Sequence, residues 1–390
     1  MEEWKEYRLE EIGIIVGGAT PSTKEPHNYD GNISWITPKD LSNNGSRYIS
    51  RGERMITSEG YNSCSCKMLP KGSVLFSSRA PIGYVAIASN ELCTNQGFKS
   101  VIPDGRFVDS TFLYYLLVYN KAMIEGLGSG TTFKEVSGNV MRNVVVKIPC
   151  LDTQKRISSI LSSLDDKIEV NKQINDNLEQ QGQALFEEYV MNLNKPRTQL
   201  LSDYALINPT RTIAKGRAAR CIEMSSLPTK GTFPSDWTFK EYNGGMKFRN
   251  GDTIMARITP CLENGKTAYI NFLDENEVAF GSTEYIVLSA HEGFCSELLY
   301  FLARYDDFVS YAVSHMNGSS GRQRVSGNDI ANYVMPEISN ETMDVVSEKL
   351  HGIMEVIKNN SLESRRLAEI RDALLPRLMS GDFKLEEVNM

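Results

Sequence analysis

The residue types that could do chemistry in this chain are few, and their spacing argues against most of it. Gly265-Lys266-Thr267 has the end of a phosphate-cradling loop. Such a loop needs a glycine five positions before Gly265, so that backbone amides can close on the anion, and a helix after it. That position is Pro260, and no helix-forming run follows. Asn208-Pro209-Thr210 starts like the Asn-Pro-Pro-Tyr motif of amino-methyltransferases but lacks the second proline and the aromatic ring. Cys64 and Cys66 are the only close pair among seven cysteines, and His27, His291, His315 and His351 lie far apart, so no zinc-ligand spacing forms. The carboxylate pairs Asp165-Asp166 and Glu187-Glu188 fall on helix faces, where solvated charge is the ordinary role. No Gly-x-Gly-x-x-Gly opens a helix, and no Pro-Asp is followed by Glu-x-Lys as in many nucleases. The chain therefore reads as a protein without a catalytic site, metal or cofactor of its own.

What remains is the chemistry of recognition. Gly128-Ser-Gly-Thr-Thr-Phe-Lys-Glu-Val-Ser-Gly-Asn139 has a shorter cousin in Asn317-Gly-Ser-Ser-Gly-Arg-Gln-Arg-Val-Ser-Gly-Asn328. Glycine, serine and threonine mixed with cations suit phosphate oxygens, and Arg, Gln or Lys on such loops suit base edges. The net charge of −7 counts against a nucleic-acid partner, but charge is uneven. From Arg47 to Arg79 six cations stand against two acids, and from Lys195 to Arg220 six stand against one. The candidate DNA-contacting residues are Lys39, Arg79, Thr131, Thr132 and Lys134 in the first half, with Arg257, Lys266, Arg322, Gln323 and Arg324 in the second. The competing reading of each cation is a solvated surface charge.

These loops sit at matched places in a chain that repeats. Gly72-Ser-Val-Leu-Phe-Ser-Ser-Arg-Ala-Pro81 parallels Gly251-Asp-Thr-Ile-Met-Ala-Arg-Ile-Thr-Pro260: a glycine turn, an apolar strand, an arginine and a proline. Ser110-Thr-Phe-Leu-Tyr-Tyr-Leu-Leu117 parallels Ser296-Glu-Leu-Leu-Tyr-Phe-Leu-Ala303, each the start of a helix with serine near its N-cap. The Val-Ser-Gly-Asn loops follow, then a strand ending in Pro149 or Pro336. Four matches in one order make an internal duplication.

After each proline a long helix is predicted. Ile157, Leu161, Leu164, Ile168, Leu178 and Leu185 step by fours, threes or sevens, and their counterparts 189 positions on are Val346, Leu350, Ile353, Ile357, Leu367 and Leu374. This is a coiled-coil seam. Asn171 and Asn360 interrupt it at the same place, near the midpoints of 153–189 and 342–378. Proline disfavours helix in the residue before it, so the second helix is expected to end near Leu375-Pro376. The order domain, helix, domain, helix makes the paired helices antiparallel, with a pseudo-two-fold axis that brings the asparagines together. Replacing both by leucine is expected to raise the melting temperature while loosening register; the competing reading has both facing solvent or a docked partner. The predicted fold is α+β: recognition domain 1 over 1–150, a central helix over 151–192, recognition domain 2 over 193–337, and a C-terminal helix and tail over 338–390. The strand signals lie at 33–37, 74–77, 84–88, 254–256 and 285–288.

Composition sets the outer bounds. Apolar residues make up 41% of the 390, enough for packed cores. The charged start, Met1-Glu-Glu-Trp-Lys-Glu-Tyr-Arg, has no apolar signal-peptide core, no run nears the roughly 18 residues of a membrane helix, and an odd cysteine count without framework spacing fits a reducing cytoplasm.

Trp35-Ile-Thr-Pro-Lys-Asp-Leu41, Ser78-Arg-Ala-Pro-Ile-Gly83, Asn95-Gln-Gly97, the run from Gly128 through Pro149 to Gln154-Lys-Arg-Ile157, and the ending Leu374-Leu-Pro-Arg-Leu-Met-Ser-Gly381 together resemble the DNA specificity subunits of type I restriction-modification systems. The resemblance covers both halves; one departure is Ile338-Ser-Asn-Glu341, which lacks the Gln-Lys-Arg counterpart. It implies a non-catalytic subunit whose two domains each read half of a split, asymmetric double-stranded DNA site, with the coiled coil fixing the spacer. It also implies partners: two methyltransferase subunits bringing S-adenosylmethionine, and restriction subunits using ATP and magnesium. The alternative is a scaffold or adhesive protein with two binding heads on a coiled-coil rod; a stand-alone nuclease would need an acidic metal cluster that the sequence lacks.

Overall fold

The computed structural model describes residues 4–79, 81–130, 134–192, 197–319 and 321–381. Its contacts divide the chain into two units. Unit 1 comprises the chain up to Glu169 together with the part from Arg365 onward, and unit 2 is Val170–Ser364. Each unit thus holds one α+β domain and part of both long helices, Leu151–Phe186 and Asn340–Met379.

In unit 1 a five-stranded sheet runs in the order Gly13–Gly17, Lys99–Pro103, Val74–Phe76, Val85–Ala88, Tyr48–Ile49. In unit 2 a four-stranded sheet runs Ala205–Ile207, Tyr285–Ala290, Asp252–Ala256, Thr267–Tyr269. Both share an antiparallel centre, Val74 opposite Val101 and Ile254 opposite Val287. Asp252–Ala256 is buried at all five positions, which is why Ile254, Met255 and Ala256 follow one another without a polar alternation. The glycine turns before the central strands need a left-handed backbone, with φ +87° at Gly72 and +86° at Gly251. Each turn lies against the serine that opens the following helix, Ser110 or Ser296. Those serines are not the caps: Asp109 caps Ser110–Tyr119 by accepting from the Phe112 amide at 2.9 Å, and Cys295 precedes Ser296–Arg304 without a side-chain cap. The Ser110 hydroxyl instead donates to the Gly72 carbonyl, and Ser296 meets the Tyr269 hydroxyl at 2.7 Å.

A second sheet in each unit keeps one parallel pair of the repeat, Trp35 opposite Cys93 and Cys221 opposite Phe280, and differs in the strands around it. Unit 1 has Met55–Ile56, Tyr29–Ile36 and Cys93–Thr94; unit 2 has Thr238–Glu241, Ala218–Ile222, Ala279–Gly281 and Lys247–Phe248. A two-stranded ladder closes each domain, Lys5–Arg8 with Val145–Ile148 and Thr198–Leu200 with Val334–Pro336.

The long helices pair antiparallel within each unit. In unit 1 Asp165 meets Arg371 at 2.7 Å, and Ile157 and Leu161 share a core with Leu374 and Leu378. In unit 2 Asn175 meets Ser361 at 3.1 Å while Tyr189 meets Lys349 at 3.3 Å. Ile157, Leu161, Val346, Leu350 and Ile357 are buried, and Leu164, Ile168, Leu178, Leu185, Ile353, Leu367 and Leu374 are half-buried. The ends of the seam serve as floors of the domain cores as well as a helix-helix contact. The second helix does not stop before Pro376 but runs through it to Met379. Proline there removes one hydrogen bond in the last turn, and burial of Leu378 and Met379 offsets that loss.

Candidate nucleic-acid interface

A chain of backbone hydrogen bonds gathers the landmark loops of unit 1 along one edge. The Asn95 amide donates to Ile36, Ser78 to Gly97 and Val136 to Ser78, at 2.9, 2.7 and 2.9 Å. Ser129 and Glu135 exchange bonds across the base of the loop that holds the first Gly-rich run. Unit 2 builds the same frame: Arg257 donates to Glu284 and Val325 to Arg257, both at 3.0 Å, and Asn317 exchanges bonds with Arg324. The turns match too, since Asn95 Oδ1 accepts from the Gly97 amide at 2.8 Å and Ser282 Oγ from the Glu284 amide at 3.1 Å.

This frame explains why Val-Ser-Gly-Asn occurs twice. Val136 and Val325 are fully buried core residues. Ser137 and Ser326 cap the short helices Gly138–Asn143 and Gly327–Ala331, accepting from Val140 and Asp329 at 3.2 and 3.1 Å. The tetrapeptide anchors the loop, and the residues before it are free to differ. The frame also shows that Arg79 and Arg257 are not equivalent. Arg257 occupies the place of Ser78, while Arg79 pairs with Glu135 as Ile258 pairs with Arg324.

The candidate residues differ in what they have left to offer. Arg322 and Lys134 are exposed at the two loops. Gln323 is half-buried, its carbonyl accepting from Thr259. Arg324 is held by Glu284 through three nitrogen–oxygen pairs at 2.8 to 3.0 Å. That pairing holds the Glu284 carboxyl below its ordinary range and pushes the Arg324 guanidinium up. Arg79 lies 3.9 Å from Glu135, which Lys99 also approaches at 3.3 Å. Lys39 is exposed and paired with Glu53 at 2.7 Å, a bond that raises its pKa. Lys266 is spent inside, donating to the Met224 carbonyl at 2.7 Å. Arg257 is half-buried with its Nε unpaired, on an open cavity of about 580 Å³ that Asn208, His291 and Ser326 also line. Thr131 and Thr132 lie outside the described residues.

The two basic stretches shrink on the same accounting. The Arg47 side chain is largely covered and bridges Asp166 at 2.5 Å, and Arg54 stacks on Tyr29. Arg211 forms a buried pair with Asp252 at 2.6 Å, and Arg220 sits among Trp237, Phe239 and Phe272 with Glu277 at 3.2 Å. Burial outweighs attraction in the Arg211–Asp252 pair, lowering the arginine and raising the aspartate. Among the described residues no cluster of histidine, cysteine and carboxylates could hold a metal ion, and no helix is long and apolar enough to cross a membrane.

Asn171 is fully buried in unit 2, and its amide nitrogen faces the Asn360 carbonyl at 3.3 Å, Glu363 at 2.7 Å and Ser364 at 3.2 Å. The Asn360 amide turns instead to Asn175 Oδ1 at 2.9 Å. Two residues at this edge escaped the reading of the sequence, Gln96 and Thr283. Both are exposed in the middle of the matched turns. The signal was the turn-forming Asn-x-Gly and Ser-x-Glu spacing, which frames the middle residue without marking it.

This duplicated frame, two α+β domains each set on paired long helices, is that of a DNA specificity subunit. The model of the type I restriction modification DNA specificity domain matches residues 1–180. Over 441 residues the chain is 33% identical to the type I restriction enzyme MjaIX specificity subunit of Methanocaldococcus jannaschii, covering 99% of this chain and 95% of that one. It is 24% identical over 473 residues to the HindI specificity subunit of Haemophilus influenzae, covering 98% and 100%. The fold is also similar to the crystal structure of a type I restriction-modification S subunit from M. genitalium, with a TM-score of 0.58 at 15% identity over 97% and 96% of the two chains. The chain belongs to the specificity subunits of type I restriction-modification systems.

Proposed function

We propose that each loop-lined edge reads one half of a split double-stranded DNA site, and that the paired helices set the unread spacer and dock two methyltransferase subunits. The observation that carries this reading is one backbone frame bearing different side chains. Position for position, Glu135 stands where Arg324 does, Gly97 where Glu284 does and Ser78 where Arg257 does. A shared scaffold with unlike tips presents two unlike half-sites. The chain supplies no reacting group: methyl transfer from S-adenosylmethionine belongs to the methyltransferase, and ATP- and magnesium-dependent cleavage belongs to the restriction subunits. The complex acts on chromosomal DNA in the cytoplasm.

Mapping N6-methyladenine across the genome of cells carrying this chain and its methyltransferase tests the reading and is expected to give one bipartite motif with a fixed gap. Arg322→Ala together with Arg324→Ala is expected to relax or weaken only the half read by unit 2, at about 1–3 kcal/mol for each base-reading side chain removed. An unchanged motif and affinity in the double variant would remove the second loop from the interface.

A further inference from the structure

We infer that Gln96 is a specificity-determining residue of unit 1, reading one adenine in the major groove, and that Thr20 positions it. The inference rests on the DNA-reading function proposed above. Gln96 is exposed at the tip of a turn whose other members cannot move freely. On its N-terminal side the Asn95 amide donates to Ile36 at 2.9 Å, and the Asn95 side chain closes the turn on the Gly97 amide at 2.8 Å. On its C-terminal side the Gly97 carbonyl accepts from Ser78 at 2.7 Å. A β-carbon at Gly97 would come within 2.9 Å of both Pro38 and the Asn95 side chain, so the turn is packed to the limit of glycine. Of the three turn residues only the middle one is exposed.

That side chain is already oriented. The Thr20 hydroxyl donates to Gln96 Oε1. Thr20 is fixed in turn through Ala19, whose amide donates to Thr94 at 3.0 Å and whose carbonyl accepts from the Trp35 indole at 3.0 Å. A glutamine amide oxygen has two lone pairs and its nitrogen two hydrogens. With one lone pair taken by Thr20, the oxygen can still accept from adenine N6 while the nitrogen donates to N7, the bidentate pairing that singles out adenine. Ordering a long side chain before DNA arrives lowers the entropy lost on binding.

The test uses the full chain with its methyltransferase, reading the methylated motif genome-wide and duplexes selected from a random library. Gln96→Ala is expected to lower discrimination at one A·T pair of one half-site by about ten- to a hundred-fold, leaving the other half unchanged as an internal control for folding. Gln96→Arg is expected to shift that position towards guanine, and Thr20→Ala to weaken the same position by a smaller factor. If the native chain yields a split motif and Gln96→Ala yields the same motif at the same strength, Gln96 is not a reader while the proposed function stands. If the native chain yields no split motif, both fail.

Discussion

At one pair of positions related by the internal repeat, unit 1 has Arg371 and unit 2 has Gly182, and at that place the domains meet their helices by opposite means, although unit 2 keeps a polar contact of its own where Tyr300 donates to Glu179. In unit 1 the Tyr115 hydroxyl donates to Asp165 at 2.5 Å and Arg371 donates to the other oxygen of the same carboxylate at 2.7 Å. In unit 2 the counterparts of Tyr115, Asp165 and Arg371 are Phe301, Met354 and Gly182. Phe301 and Met354 share the apolar core, and the ring of Phe301 lies against Gly182 so closely that a β-carbon there would be 2.2 Å from it. A three-member polar network and a ring against a bare helix occupy one architectural place. The lesson is that the repeat preserves where domain and helix touch, and leaves each copy to solve the contact with its own chemistry.

The largest effect expected from breaking this comparison is at Gly182. Gly182→Val drives a branched side chain into a fully buried ring, and should cost about 3 kcal/mol in chemical or thermal unfolding. The gain in helix propensity on replacing glycine, about 1 kcal/mol for alanine, is smaller than the clash. A Gly182→Ala chain more stable than the native one would show that the ring yields. Next comes Asp165→Ala, which leaves the Tyr115 hydroxyl without its acceptor and Arg371 with only Asp372. It should lower stability by about 2 kcal/mol, and an effect below about 0.5 kcal/mol, the scatter of surface substitutions, would mean that water replaces the carboxylate.

A smaller effect separates the two recognition loops, because Glu135 and Arg324 occupy one position with opposite charge. Arg324 holds the Glu284 carboxyl below its ordinary value of 4.5, so the pair stabilises the fold fully above that value. Its contribution fades as pH falls through the lowered pKa, where the carboxylate takes up a proton. Glu284→Gln should therefore cost no more than about 1 kcal/mol near neutrality and abolish that part of the acid dependence. If the native and variant unfolding curves stay parallel below pH 4.5, the pair contributes nothing to folding.

These contrasts also mark what could be read beforehand. The repeat was legible because its landmarks serve the frame: Val136 and Val325 fill cores, Ser137 and Ser326 cap helices, and the apolar seam keeps its spacing. Ion pairing was not legible. Arg211 and Asp252, or Glu284 and Arg324, are brought together from about 40 positions apart by strand pairing, and counting cations along the chain takes them for free charge. The reach of the second helix past Pro376 was hidden for a like reason, since the burial of Leu378 and Met379 depends on a domain core far away in sequence.

The smallest expected net effect, that of the double variant, concerns the seam asparagines, which the sequence presents as equals and the structure does not. Asn171 has three acceptors around its amide nitrogen and no partner for its buried oxygen. Asn360 is half-buried and satisfies Asn175. Replacing a buried group that already lacks a partner removes a desolvation cost, so Asn171→Leu should raise stability by up to about 1 kcal/mol. Asn360→Leu leaves Asn175 Oδ1 without its donor and should lower stability by a similar amount, about 1 kcal/mol. The two residues touch through one carbonyl, so their effects need not add, and the double leucine variant should melt close to the native chain. That differs from the rise expected when both are treated as one symmetric polar layer. Melting temperatures of the two single variants decide between the views: shifts of opposite sign support unequal roles, and shifts in the same direction restore the symmetric pair.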